Sequence, residues 1–241
     1  MIFKPTRFNN TNIAPTTLLS KHRLKIHNSI IEEVTNYKFL GILIQNNLSW
    51  AMHINFITTK ISKTIGVLNK IRHKINLKAA MHIYYSLIMS HINYCNIIWG
   101  SSKRTLINPL FILQKRALKT CFQLNKKTST ELLFLFTNKM TIFDINKFQT
   151  NLFIFKALNN LLPPAFADFF TLTEDVHSYN TRFQSKNSLY VLPMENNKRK
   201  TSLKISGPPM WFQLPNELKK ISYIANFIRL YKKNLIANPT L

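Results

Sequence analysis

Acidic residues are what this sequence most lacks: nine Asp and Glu stand against 33 Lys and Arg, a formal net charge of +24. A chain so charged repels itself unless a polyanion lies against it, so nucleic acid is the expected partner. The same scarcity bears on catalysis. Two-metal phosphoryl transfer needs at least two carboxylates holding cations about 4 Å apart. The Asp residues, 144, 168 and 175, are never adjacent to one another. Glu32 and Glu33 are sequence neighbours, so on a strand they point to opposite faces and cannot chelate one ion.

Glycine is nearly as rare, with four residues isolated at 41, 66, 100 and 207. Neither a phosphate-cradling loop nor a dinucleotide fingerprint can be built from them. Cys95 and Cys121 stand alone, which excludes a disulfide framework and a zinc knuckle and fits a reducing compartment. His82 and His91 lack metal-pair spacing. No Gly-x-Ser-x-Gly, His-Glu-x-x-His or Cys/His nucleophile pattern occurs. No apolar run approaches the ~18 residues of a bilayer span, and MIFKPTRF lacks a signal peptide's apolar stretch. The expectation is nucleic-acid binding without catalysis, in the nucleus or cytoplasm and not secreted. No catalytic residue, metal, cofactor or membrane partner is expected.

What is present is periodic. RLKIHNSIIEEV alternates about Asn28-Ser29, the pattern of a tight hairpin. With Tyr37 to Ile44 as a third strand it makes a small meander, in which Gly41 marks a bulge or a close backbone approach. Ser49-Trp50 then leads into a helix whose stripe is Ile54, Ile57, Ile61, Ile65, Leu68, Ile71 and Ile75, within an arc of roughly 120°. Lys60, Lys63, Lys70 and Lys74 fall within about 80° on the other side. They form either a solvated face or one that tracks phosphates.

A second helix spans about 77–94, with Met81, Tyr84, Leu87, Ile88 and Ile92 near one face. A third carries Leu106, Leu110, Leu113, Ala117, Leu118 and Cys121, and with them Lys115, Arg116 and Lys119. Cys121 reads as a small core residue. Thr128 to Glu131 reads as a capping box. Thr141 with Asp144 opens a further helix striped by Ile145, Phe148, Leu152, Phe155 and Leu162, closed by Pro163-Pro164. Phe166-Ala167-Asp168-Phe169 lacks a second Asp and a preceding strand, so it is no polymerase turn. Beyond Val176 come a strand-like SLYVLP, the basic trio Lys198, Arg199 and Lys200, and a last helix through Phe227 and Tyr231. That trio reads as a charged loop, a nuclear address or a phosphate patch. The fold expected is mainly α: an N-terminal β-meander (1–47), a helical bundle (48–125), a helical extension (126–175) and a basic α+β tail (176–241).

Several of these stretches carry a resemblance. Phe39, Leu40, Gly41, Ser49, Trp50 and His53 match a strand-to-helix segment of the reverse transcriptases of non-LTR (LINE, jockey-type) retrotransposons. The resemblance extends to Trp99 and Gly100, to Leu113-Gln114-Lys115, to His177, Tyr179, Thr181 and Arg182, and to Gly207, Pro208 and Trp211. It covers the part that follows the family's catalytic centre. It implies the end of a palm, then a thumb-like bundle that grips RNA or an RNA–DNA hybrid beside the palm and fingers of a parent enzyme. The chain then reads as a truncated RNA-directed DNA polymerase fragment without the catalytic carboxylates. The alternative is a co-opted or relic helical protein that binds nucleic acid or a partner.

Overall fold

A computed structural model describes residues 25–27, 29–30, 32, 34–166, 168–176, 189–191 and 202–241. The chain divides into two compact units, Met1–Phe56 and Ile57–Leu241. As the patterning implies, it is mainly α-helical, with a small antiparallel β region near its start.

In the first unit β1 (Lys25–Ile26) pairs with β2 (Ser29–Ile30), and β3 (Asn36–Phe39) pairs with β4 (Ile42–Gln45). These are two separate ladders, so the single three-strand meander is corrected. The stretch expected to run straight past Gly41 folds back on itself there. Leu40 and Gly41 have φ of 45° and 83° and join the paired residues Phe39 and Ile42. Positive φ at both central residues is what a two-residue I′ hairpin turn demands. Gly41 is therefore a turn residue rather than a bulge.

Helix α1 (Ala51–Ile71) buries Ile54, Ile57, Ile61, Ile65 and Leu68, as its spacing predicts. It ends at Ile71, leaving Lys74 and Ile75 beyond it. In α2 (Leu77–Ile83) the Asn76 side chain caps the start by accepting from the Ala79 amide at 2.8 Å. The helix continues through a π-helical segment, Tyr84–Met89, into α3 (Ser90–Asn93). The buried residues Ala80, Tyr84, Ile88 and Ile92 recur every four positions. A helix of 3.6 residues per turn would rotate them off one face; the wider i→i+5 turn holds them in line. Leu87 is consequently exposed instead of joining the stripe.

The chain continues through α4 (Asn96–Trp99), α5 (Arg104–Cys121), α6 (Thr130–Thr137) and α7 (Ile142–Leu158). After these come α8 (Thr173–Val176), α9 (Leu203–Phe212), α10 (Asn216–Lys219) and α11 (Ile224–Ala237). The cap of α6 is Ser129, whose Oγ accepts from the Leu132 amide at 3.3 Å, and not the Thr128 box. The box at α7 is real: Thr141 Oγ1 accepts from the Asp144 amide at 3.1 Å, and Asp144 Oδ2 accepts from the Thr141 amide at 3.2 Å. Helix α7 is buried nearly all round, with α4, α5, α9 and α11 packed against it. Its partners close an aromatic core of Phe148, Phe155, Trp211, Phe227 and Tyr231, in which Phe155 and Phe227 stack with centroids 4.3 Å apart. The expected tail strand contributes one isolated bridge, Leu172 to Leu189.

With so little glycine, helices end on other residues. Gln123, Asn138 and Asn160 take the left-handed conformation after α5, α6 and α7. After α7, Leu161 donates to the Lys156 carbonyl at 2.8 Å and Asn160 to that of Ala157 at 3.2 Å. This paired closure stops α7 at Leu158, ahead of the prolines, and leaves Leu162 outside the helix.

Candidate nucleic-acid interface

Between Val34 and Thr130 the sequence has 14 Lys and Arg and no Asp or Glu. Folding concentrates part of that charge. The end of α1 and the last turns of α5 lie side by side, joined by Thr120 Oγ1 donating to Asn69 Oδ1 at 2.9 Å and Gln123 Nε2 donating to the Arg72 carbonyl at 3.3 Å. Over this seam lies a groove of about 630 Å³, walled by Arg72, His73, Lys115, Arg116, Lys119 and Lys126. Ile112 and Leu124 add apolar lining, and among the described residues no carboxylate borders it.

The partners of these cations are neutral. Lys119 Nζ donates to the carbonyls of Lys126 and Thr128, both at 2.7 Å, and so braces the loop after α5. Lys115 Nζ donates to Thr130 Oγ1 at 3.3 Å and lies 4.7 Å from the Phe111 ring centroid. Arg72 Nε donates to His73 Nε2 at 2.8 Å. Arg116 and Lys126 are exposed. Carbonyls, hydroxyls and rings orient a cation without cancelling its charge, so the groove stays strongly positive. Such a site attracts phosphate.

The structure divides the basic residues expected from sequence. Lys115, Arg116 and Lys119 line the groove. Lys60, Lys63 and Lys70 are exposed on α1, at least about 100° around its axis from Asn69. Lys74 lies in the turn after the helix. Lys60 sits near His91, whose pKa is lowered first by burial and then by that ammonium. Lys198, Arg199 and Lys200 lie outside the described residues, as do His177, Tyr179, Thr181 and Arg182. Arg72, His73 and Lys126 do not stand out in the sequence, because the groove joins residues some fifty positions apart, which no local pattern reveals.

Of the described residues that carry the resemblance, Lys115 lines the groove, and most of the others hold the fold together. Ser49 Oγ accepts from the Ala51 amide at 3.3 Å at the start of α1. His53 is buried, its pKa lowered by that burial, and its Nδ1 accepts from the Leu43 amide at 3.4 Å. Its ring meets Trp50 edge-on at 6.5 Å. Phe39 and Leu40 are exposed on the hairpin. Trp99 is fully buried and donates Nε1–H to the Tyr94 carbonyl at 3.0 Å. A Cβ on Gly100 would lie 2.3 Å from Asn96 Oδ1 and 2.6 Å from Asn146 Nδ2. Gly207, Pro208 and Trp211 are buried in α9.

Gln114 is fully buried, donating to the Met140 carbonyl at 3.0 Å and accepting from the Ile142 amide at 2.9 Å, and so ties α5 to the start of α7. Burial pushes the Cys121 thiol up to about 11, which keeps it unreactive. Phe166 and Phe169 form an aromatic cluster with Phe153 and Phe170, and Asp168 beside them is exposed. Among the described residues no group of three His, Cys, Asp or Glu could hold a metal, and no helix is long and apolar enough to cross a membrane.

Comparison with known proteins points the same way. Over 97 residues, 39% of this chain, the sequence is 25% identical to the RNA-directed DNA polymerase from mobile element jockey of Drosophila funebris. The chain spans 11% of that relative's length. No protein-family model and no solved structure matches. The likeness supports a reverse-transcriptase-like origin for this chain.

Proposed function

We propose that this chain is part of a non-LTR retrotransposon reverse transcriptase that holds nucleic acid by its backbone and supplies no polymerase carboxylates of its own. One observation carries the reading: five cations converge on a groove that, among the described residues, no Asp or Glu borders. Charges of one sign on facing walls repel each other and lower stability unless an anion neutralises them. A phosphate backbone is a repeating anion that can meet several cations at once, and its recognition by charge alone is indifferent to sequence. The residues matching the reverse-transcriptase pattern then act as the scaffold that sets α1 against α5. In this reading the bundle from Leu48 to about Asn125 does the work of a thumb.

The test is fluorescence anisotropy with labelled RNA, beside a primer-extension assay with magnesium or manganese. Binding is expected to weaken steeply with salt and to fall at least about tenfold in R72Q/K115Q/R116Q/K126Q, with no primer extended by either protein. Equal binding by both proteins would move the interface elsewhere. Extension by a rigorously purified chain would overturn the assignment of roles.

A further inference from the structure

Helix α6 follows the groove-lining loop and turns Leu132, Leu135 and Phe136 toward solvent, with Phe136 68% exposed. A large ring left in water forgoes the gain from burying it, so this exposure needs a reason. Phe136 is held in place: the Phe122 ring stands against it, centroids 6.0 Å apart and planes at 74°. Phe122 lies two residues from Thr120 and two from Leu124, both groove-lining, and two residues span at most about 7 Å. The braced aromatic pair therefore adjoins the segment of chain that lines the basic groove.

We propose that groove and ring together take a single strand of nucleic acid, its phosphates along Arg116 and Lys126 and one unstacked base on the face of Phe136. This rests on the nucleic-acid reading above and narrows it. In a duplex each base face is covered by its neighbours, so Phe136 would find no ring to stack on; a single strand offers one at every nucleotide. The charge complementarity also selects the occupant: a neutral apolar partner covering Phe136 would bury groove cations without neutralising them. Stacking accepts any base, so the site discriminates strandedness and not sequence.

The test uses the full chain with oligoadenylate, oligouridylate and their duplex, in anisotropy titrations at one salt concentration. The single strands are expected to bind at least about tenfold tighter than the duplex, oligoadenylate ahead because a purine offers the larger stacking face. Both F136A and F136L should weaken single-strand binding about fivefold or more, leave duplex binding and the salt slope unchanged, and melt with the wild type. Leucine keeps the apolar bulk, so its failure to rescue isolates the ring. If binding depends on the groove cations but favours the duplex, or ignores Phe136, the single-strand inference falls and the reading above stands. If no binding depends on those cations, both fall.

Discussion

The two halves of this chain treat charge in opposite ways. From Val34 to Thr130 there are 14 basic residues and no acidic one; from Glu131 to Leu241 the same number of basic residues is met by seven Asp and Glu. In the second half several described polar groups are tied up internally. Asp144 caps α7 and also accepts from the Thr240 amide through both oxygens, at 3.1 and 3.2 Å, while Lys147 Nζ donates to Thr240 Oγ1 at 3.0 Å. Lys232 lies 5.2 Å from the centre of the Phe148 ring. In the first half the cations around the groove meet neutral groups among the described residues.

That contrast breaks most sharply at the aromatic core. F227A removes a fully buried ring stacked on Phe155 and should cost about 3–5 kcal/mol in urea denaturation. Nucleic-acid affinity of the molecules still folded should be unchanged. R116Q should do the reverse, shifting stability by less than about 0.5 kcal/mol while weakening binding. If both variants moved both properties, the division of labour would be wrong.

Gly100 sharpens the comparison from within the first half. A methyl group there would overlap both the Asn96 side chain and its carbonyl at 2.6 Å, so G100A should cost about 1–3 kcal/mol in thermal denaturation. Asp144 comes next. D144A should cost about 1–2 kcal/mol and increase hydrogen exchange at the Thr240 amide, while the groove's affinity stays the same.

Alkaline pH probes the second half through one buried tyrosine. Burial pushes the Tyr231 hydroxyl up to about 12 from an ordinary 10.0, against the opposing hydrogen bond from Asn151. Above pH 10 the unfolded chain releases this proton and the folded chain does not. The contribution is therefore complete below pH 10 and lost as pH rises toward 12. Y231F should flatten that part of the stability profile. The smallest effect is expected at the groove's edge, where Gln123 has φ of 52°. Q123G relieves the left-handed conformation, worth roughly 0.5–1 kcal/mol, but loses the Gln123 hydrogen bond to the Arg72 carbonyl, so Tm should hardly move.

How far the sequence was legible follows from the range of the forces involved. The stripe of α1, the capping box at Thr141 and the mainly helical class rest on interactions within a few residues, and the pattern revealed them. The turn at Leu40-Gly41 did not show, because a leucine at positive φ is unusual and the apolar run looked continuous. The π segment was hidden because spacing of four fits either helix type for two turns. The groove was half legible: Lys115, Arg116 and Lys119 stood out as a cluster, whereas Arg72 and Lys126 join them only through the packing of α1 on α5. The lysine stripe on α1 is exposed, as its periodicity implies, but it does not line the groove.

That last distinction gives the most direct measurement. The slope of log K against log salt for a single strand changes by roughly 0.7 for each phosphate left without its cation. Slopes would be measured for the wild-type chain, for R72Q/K115Q/R116Q/K126Q and for K60Q/K63Q/K70Q. The groove variant should flatten the slope by about two to three units, with the α1 variant close to wild type. A flattening confined to the α1 variant, with the groove variant unchanged, would contradict the account and place the backbone along the helix face.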